Sequence, residues 1–220
     1  MTLKIYGVLR SRASRNIWLL NELNVAFEHI PVSQIYRLAK PDAHDAPLNT
    51  ASPAFMKVNP NGLIPSMVDG DLVLHESLAI NLYLAKKYGG ALAPKSLAED
   101  GQMTMWSLWA MTECEPHTLQ ILYNRLAKPE PERDHALAAA SVAAVERPFT
   151  VLETHLKEQS GFIVGGRFTV ADINLAEVIR YAQPATELFT GRPHLSAWIN
   201  TCQLRPAFKA MIAARNAEPA

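Results

Sequence analysis

The sequence predicts two successive domains of different class, an α/β domain followed by an all-helical one. In the first part, β-prone, helical and β-prone segments follow each other within about thirty residues, and Asp69-Gly70 joins two further β-prone runs. From about Ala91 onward no convincing strand pair appears. Strands first and helices afterwards favour two segregated layers of structure. We place the domains at residues 1–84 and 92–220.

The α/β domain begins with a short strand at residues 3–7. Ile17, Leu20 and Leu23 then recur at the spacing of a buried helix, and residues 27–32 are again β-prone. A strand-helix-strand unit of this length favours a parallel strand pair.

The rest of this domain contains an irregular segment and a hairpin. Residues 33–54 are weakly patterned and contain three prolines, and we expect them to be partly helical. Residues 64–68 and 71–74 form the predicted hairpin, because Asp-Gly tolerates the positive φ angles of a tight turn. Ser77 is the expected N-cap of the next helix.

The second domain reads as helices throughout. Residues 103–126 and 135–157 form two predicted long helices separated by prolines, and a later helix covers residues 195–204. Thr169 and Asp172 have the spacing of a capping box, which predicts a helix start with a purely structural role.

Composition excludes several classes of function. Lys plus Arg and Asp plus Glu both number 21, and this neutral balance argues against nucleic acid as a partner. No apolar run reaches the roughly 18 residues of a membrane helix, and no signal peptide is recognisable, so we expect a cytoplasmic protein without membrane contact. Cys114 and Cys202 lie far apart, which argues against a disulfide framework and a cysteine-rich metal site.

Three stretches carry a family resemblance. They are Ser-Arg-Ala-Ser-Arg at residues 11–15, Asn-Pro-Asn-Gly-Leu-Ile-Pro at 59–65 with His-Glu-Ser-Leu-Ala-Ile at 75–80, and the glycine-containing run at 162–172. In order and spacing the chain resembles the soluble, cytosolic glutathione S-transferase superfamily, as a serine-type, bacterial-like member. The resemblance implies a thioredoxin-like domain that binds glutathione and an all-helical domain that contributes the site for the electrophile.

The same resemblance implies a detoxifying transferase that acts as a homodimer, with glutathione as co-substrate, a small electrophile and no metal. An acid or amide of the partner subunit, Asp100 or Gln102, is expected to reach the glutathione amine. The alternatives are a glutathione-dependent isomerase, dehalogenase or ether-cleaving enzyme, and a non-catalytic relative that serves protein contacts.

Ile64 and Pro65 are the first expected glutathione contacts. The resemblance implies a cis bond before Pro65, with the backbone N–H and C=O of Ile64 turned toward the cysteinyl part of glutathione. An X-Pro bond adopts the cis form at low cost, about 0.5–1 kcal/mol. The alternative is that Pro65 merely starts an edge strand.

Glu76 and Ser77 are the expected contacts of the γ-glutamyl end, which carries an ammonium and a carboxylate. A helix N-terminus with a hydroxyl favours the carboxylate, and Glu76 can bind the ammonium; plain helix capping is the alternative. Leu63 stands where many relatives carry a cation or Gln for the glycyl carboxylate. We favour His44 as its replacement over Lys40 and Lys57, although all three are also explained as solvated side chains.

Ser11 is the candidate catalytic residue. The reaction needs the thiolate of glutathione, whose free thiol has a pKa of about 8.5, and a donating hydroxyl stabilises the anion. In serine-type relatives the activating serine stands three residues before a small residue and an arginine, as Ser11 does before Ser14-Arg15. Ser14, Arg12, Tyr6 and activation without a side chain remain open, since Ser11 also fits a turn and Ser14 an N-cap.

The electrophile site is expected on the fourth helix and beside the Ser11 turn. The candidates are Arg10, Trp106, Met111, Cys114 and His117. A stripe of Met and Trp at helical spacing is more often core than pocket, and this is the alternative.

Overall fold

A four-stranded mixed sheet forms the centre of the first half of the chain. The computed structural model describes residues 2–218, and its strands are β1 (Lys4–Tyr6), β2 (Glu28–Ile30), β3 (Ser66–Asp69) and β4 (Leu72–His75) in the order β2-β1-β3-β4. β1 pairs in parallel with β2 and antiparallel with β3, and β3 and β4 form an antiparallel hairpin. The parallel pair and the hairpin predicted from the sequence are confirmed. The predicted turn is wrong by one residue, because Asp69 pairs with Leu72 as the last residue of β3 and the two turn residues are Gly70 and Asp71.

The helices of the described residues follow the predicted succession as far as residue 204, and the helix after it was not predicted from the sequence. They are α1 (Ala13–Leu23), α2 (Pro53–Met56), α3 (Ser77–Tyr88), α4 (Leu97–Trp109), α5 (Glu115–Leu122), α6 (His135–Glu158), α7 (Val170–Ile179), α8 (Pro193–Leu204) and α9 (Pro206–Ala217). The segment predicted as irregular contains a 3-10 turn at Ile35–Arg37 and ends at α2. None of these helices is long and apolar enough to cross a membrane.

The chain divides into two compact units. One unit runs to Tyr88 and includes the segment from Pro206 onward, and the other is Gly89–Arg205. The sequence-based division places everything after residue 92 in the helical domain, whereas α9 packs against α1 in the first unit. The rings of Trp18 and Phe208 meet edge to face there, with centroids 4.9 Å apart.

In the second unit, helical structure is continuous from Leu97 to Ala127. A π-helical turn at Ala110–Cys114 separates α4 from α5, and a second one at Tyr123–Ala127 follows α5. α7 is buried along its whole length, which suits a helix of high mean hydropathy at the centre of a bundle. The predicted Thr169–Asp172 capping box is present at its start.

Candidate functional site

The turn between β1 and α1 carries Ser11, whose side chain is half-buried. Its hydroxyl donates to the carbonyl of Val8 at 2.6 Å and accepts the backbone N–H of Ala13 at 3.1 Å. The hydroxyl is thus held at the positive end of α1. Ser11 directly precedes Arg12, which is the N-cap residue of this helix.

Ser14, the alternative to Ser11, has a different environment. It is the second residue of α1 and is fully buried, and Arg12 occupies the N-cap position. The interpretation of Ser14 as the N-cap is therefore wrong. Between the two serines, only the hydroxyl of Ser11 lies in a position with access to solvent.

Gly7 brings the Ser11 turn close to the segment that contains Ile64. A Cβ atom at Gly7 would lie 3.0 Å from the Cβ of Ala13 and 3.3 Å from the Cβ of Ile64. Because Gly7 also has a φ of +139°, a larger residue at this position would be both strained and crowded. The start of α1 and Ile64 therefore lie on either side of a position that only glycine fills.

The bond between Ile64 and Pro65 is cis, as the resemblance implies, although β3 begins one residue later at Ser66. Within the described residues, the backbone N–H and C=O of Ile64 form no hydrogen bond. The preceding loop is organised by Asn59, which is buried and donates to the carbonyl of Leu63 at 2.7 Å and to the hydroxyl of Ser66 at 3.1 Å. Asn59 belongs to the stretch at residues 59–65 that carries the family resemblance, but no role was predicted for it from the sequence.

Glu76 and Ser77 stand at the start of α3. α3 begins at Ser77, and the carbonyl of Glu76 accepts the N–H of Ile80 at 2.9 Å, so the prediction of Ser77 as N-cap is wrong by one residue. Glu76 has a φ of +65°, a left-handed conformation that is uncommon for residues other than glycine. Its carboxylate is exposed and forms no ion pair with another described residue, and the N–H of Ser77 has no partner among them.

A buried polar cluster behind Ser77 was missed by sequence reasoning. The guanidinium of Arg15 is fully buried and donates to the Ser77 hydroxyl at 3.1 Å. The side-chain amide of Asn16 donates to the Ser77 carbonyl at 2.8 Å and to Asn81 at 2.7 Å. Polar residues at buried helix positions were the signal for this cluster. It places a positive charge directly behind the start of α3.

Three residues are candidates for binding the glycyl carboxylate of glutathione in place of the cationic side chain that Leu63 replaces. They lie in the irregular segment and near α2. The side chains of Lys40, His44 and Lys57 are exposed and form no hydrogen bond or ion pair with another described residue. Arg37, which sequence reasoning did not single out, donates to the carbonyl of Arg10 at 3.0 Å. The role of His44 stays a prediction.

The candidates for the electrophile site are divided between the units. Arg10 belongs to the first, and Trp106, Met111, Cys114 and His117 belong to the second. Trp106 is buried, and its ring lies 4.5 Å from that of His155 on α6. Burial raises the pKa of Cys114 to about 12, so this thiol is not reactive at neutral pH. Met111 and His117 are half-buried.

Residues with metal-ligand chemistry do not cluster in the described part of the chain. Among residues 2–218 no group of three His, Cys, Asp or Glu side chains is arranged to hold a metal ion.

Comparisons with known proteins identify the family. Residues 5–92 match the family model of the glutathione S-transferase N-terminal domain, and residues 114–206 match that of the C-terminal domain. Glutathione S-transferase 3 of Zea mays is 32% identical, with 96% of this chain and 94% of the relative covered. Glutathione S-transferase GstB of Escherichia coli (strain K12) is also 32% identical, with 88% of each chain covered.

A solved structure agrees with both. The theta class glutathione S-transferase of Xanthomonas axonopodis pv. citri, solved with glutathione bound, is 29% identical and superposes with a TM-score of 0.79 over 96% of this chain and 98% of that one. The chain therefore belongs to the glutathione S-transferase family. It is a transferase enzyme with the thioredoxin-like and helical parts of that fold.

Proposed function

We propose that this protein binds glutathione along the first unit and activates its thiol through Ser11 for attack on a small electrophile. The observation that carries the proposal is the arrangement around α1. Its N-terminal turn holds Ser11, its first residue faces Ile64 across Gly7, and its third residue, Arg15, contacts Ser77.

The γ-glutamyl end of glutathione is assigned to the start of α3. The N–H and hydroxyl of Ser77 bind the carboxylate, which the helix dipole and the guanidinium of Arg15 favour electrostatically. The exposed carboxylate of Glu76 binds the ammonium. The N–H and C=O of Ile64 pair with the cysteinyl residue, and His44 binds the glycyl carboxylate.

The thiol is assigned to Ser11. Its hydroxyl donates to Val8 in the structure, and we propose that the hydroxyl hydrogen turns to the sulfur when glutathione binds. A hydrogen bond to a charged group contributes about 1.5–3 kcal/mol, which corresponds to about one to two pKa units. The thiolate then attacks the electrophile and forms a carbon–sulfur bond with it. Arg10, Met111 and His117, which are partly accessible, each stay predictions as contacts of the electrophile.

The proposal includes a cytoplasmic homodimer. Its support is an apolar face of α4. Leu97, Met105 and Leu108 are 88%, 53% and 62% exposed, and their spacing places them on the same side of the helix. Burying such side chains against a second copy is favourable, and a two-fold interface pairs the same patch on both copies. Sedimentation at micromolar concentration is expected to give a dimer, and a strict monomer would refute this part.

The test of the central proposal is the ultraviolet absorbance of bound thiolate as a function of pH. We expect Ser11→Ala to raise the pKa of the bound thiol by about one to two units and to lower turnover at neutral pH about tenfold or more. Glutathione affinity, measured by calorimetric titration, should change little. Ser14→Ala is the matched control and should leave the pKa unchanged. A shift in Ser14→Ala alone, or in neither variant, would contradict the assignment.

A further inference from the structure

The C-terminal end of the described chain contacts the turn that carries Ser11. Both carboxylate oxygens of Glu218, which follows α9, accept backbone N–H groups of this turn: Leu9 at 2.8 Å and Arg10 at 2.9 Å. The side chain of Arg10 also donates to the carbonyl of Arg215 at 3.4 Å. All of these residues belong to the first unit.

Two peptide groups of the turn are thereby fixed, and one of them holds the Ser11 hydroxyl. The N–H of Leu9 and the C=O of Val8 belong to the same peptide bond, which is planar and places the two groups on opposite sides. Glu218 binds the N–H side, and the hydroxyl of Ser11 donates to the C=O side at 2.6 Å. Orienting the Leu9 N–H therefore also orients the acceptor of the Ser11 hydroxyl.

The following peptide groups are restrained in the same way. Glu218 accepts the N–H of Arg10, and Arg37 donates to the carbonyl of Arg10 at 3.0 Å. Without these partners, the half-buried turn would exchange its hydrogen bonds with water, and the oxygen of Ser11 would sample more positions.

We propose that Glu218 is a positioning residue of the transferase reaction. It fixes the backbone of the turn at residues 8–11 and so the position of the Ser11 oxygen, whose hydroxyl hydrogen turns from Val8 to the glutathione thiolate. This inference rests on the proposed function of Ser11. Glu218 itself touches neither substrate nor sulfur.

A direct electrostatic role of Glu218 predicts the opposite result and can therefore be separated from positioning. Removing a nearby negative charge stabilises a thiolate and lowers the thiol pKa. Loosening the turn weakens the hydrogen bond to the thiolate and raises the pKa. The sign of the shift thus distinguishes the two roles.

The experiment follows the ultraviolet absorbance of bound glutathione against pH in full-length variants. Glu218→Ala is expected to raise the thiol pKa by about 0.5–1 unit, the equivalent of one net hydrogen bond, and to lower kcat about three- to tenfold with an unchanged KM for glutathione. Glu218→Gln keeps one acceptor oxygen and should give a smaller shift in the same direction. Glu28→Gln, which removes a surface ion pair with Lys4 in the same unit, is the matched control and should give none.

A double-mutant cycle with Ser11→Ala decides whether Glu218 acts through Ser11. In the Ser11→Ala background, Glu218→Ala should produce no further pKa shift. A shift of equal size in both backgrounds, a shift downward, or no shift in Glu218→Ala and Glu218→Gln would overturn the inference while leaving the role of Ser11 intact. If Ser11→Ala alone leaves the pKa unchanged, the proposed function itself fails and the inference with it. Thermal unfolding and calorimetric titration with glutathione confirm that each variant is folded, and Glu218→Gln serves if Glu218→Ala does not fold.

Discussion

The starts of α3 and α7 show two different ways in which a helix N-terminus is completed. At α7, the carboxylate of Asp172 accepts the N–H and hydroxyl of Thr169, the N–H of Ile163 at 3.0 Å and the indole N–H of Trp198 at 2.9 Å. At α3, the acid next to the helix start points into solvent, and the N–H of Ser77 has no partner among the described residues.

The burial of the two acids, Asp172 and Glu76, explains the difference, because the first is buried and the second is exposed. Asp172 is fully buried, so each of its donors must be satisfied within the protein. Ser77 is buried too, but a positive charge lies behind it and an exposed acid beside it. The first arrangement closes a helix start, whereas the second leaves it suited to a zwitterionic ligand. The following predictions test this contrast.

The largest expected effect is that of Asp172→Ala on stability. The substitution leaves four buried donors without their acceptor, and we expect a loss of about 3–5 kcal/mol in the free energy of unfolding. Chemical denaturation measures this loss. Glutathione affinity in the folded fraction should equal that of the wild type, and lost affinity at full stability would show that the α7 start belongs to the binding site.

Glu76→Ala and Ser77→Ala are expected to have the reverse profile. Each removes a contact to a charged group of glutathione, which corresponds to about tenfold or more in the dissociation constant. Calorimetric titration measures the affinity, and circular dichroism should report an intact fold. Wild-type affinity in both variants would refute the assignment of the γ-glutamyl end.

The pH dependence of stability should also distinguish the α7 start. Burial raises the pKa of Asp172 from 3.8 to about 6, although its hydrogen bonds lower it. Because the unfolded chain releases this proton at lower pH than the folded one, protonation of Asp172 contributes stability that is fully present below about pH 4 and is lost as the pH rises through about 6. This part is separate from the contribution of the hydrogen bonds that Asp172 accepts. Chemical denaturation should be measured for the wild type and Asp172→Asn across this pH range. The difference between their free energies of unfolding should change with pH. Parallel curves would contradict the raised pKa.

The smallest expected effect concerns the backbone of Glu76. Glycine adopts a φ of +65° without the penalty of a Cβ atom, so Glu76→Gly should stabilise the protein by up to about 1 kcal/mol while it weakens glutathione binding. Asn24→Gly, at the left-handed C-cap of α1, is the matched control. It should alter stability in the same sense, by less because asparagine tolerates this conformation, and leave binding unchanged. Loss of stability in Glu76→Gly would mean that its side chain holds the helix start in place.

Local features of this protein could be predicted from the sequence because their partners are close along the chain. The Thr169–Asp172 box spans four residues, and the turn at Gly70-Asp71 joins strands that adjoin it directly. The spacing of Ile17, Leu20 and Leu23 predicted α1 in the same way. The one-residue error at Ser77 arose because the unusual φ of Glu76 shifts the N-cap, and nothing local to a glutamate predicts a left-handed conformation.

Tertiary structure alone decided the surroundings of the reactive groups. Arg15 and Ser77 are 62 residues apart, and Glu218 lies 209 residues from Leu9. A backbone N–H can donate to any carboxylate, so the residues of the Ser11 turn carry no information about which acid binds them. The sequence by itself determined the strands, the helices as far as residue 204 and their order. The packing of α9 on α1 and of α1 on α3 determined which distant side chains complete the site, because hydrogen bonds between elements depend on their position in space.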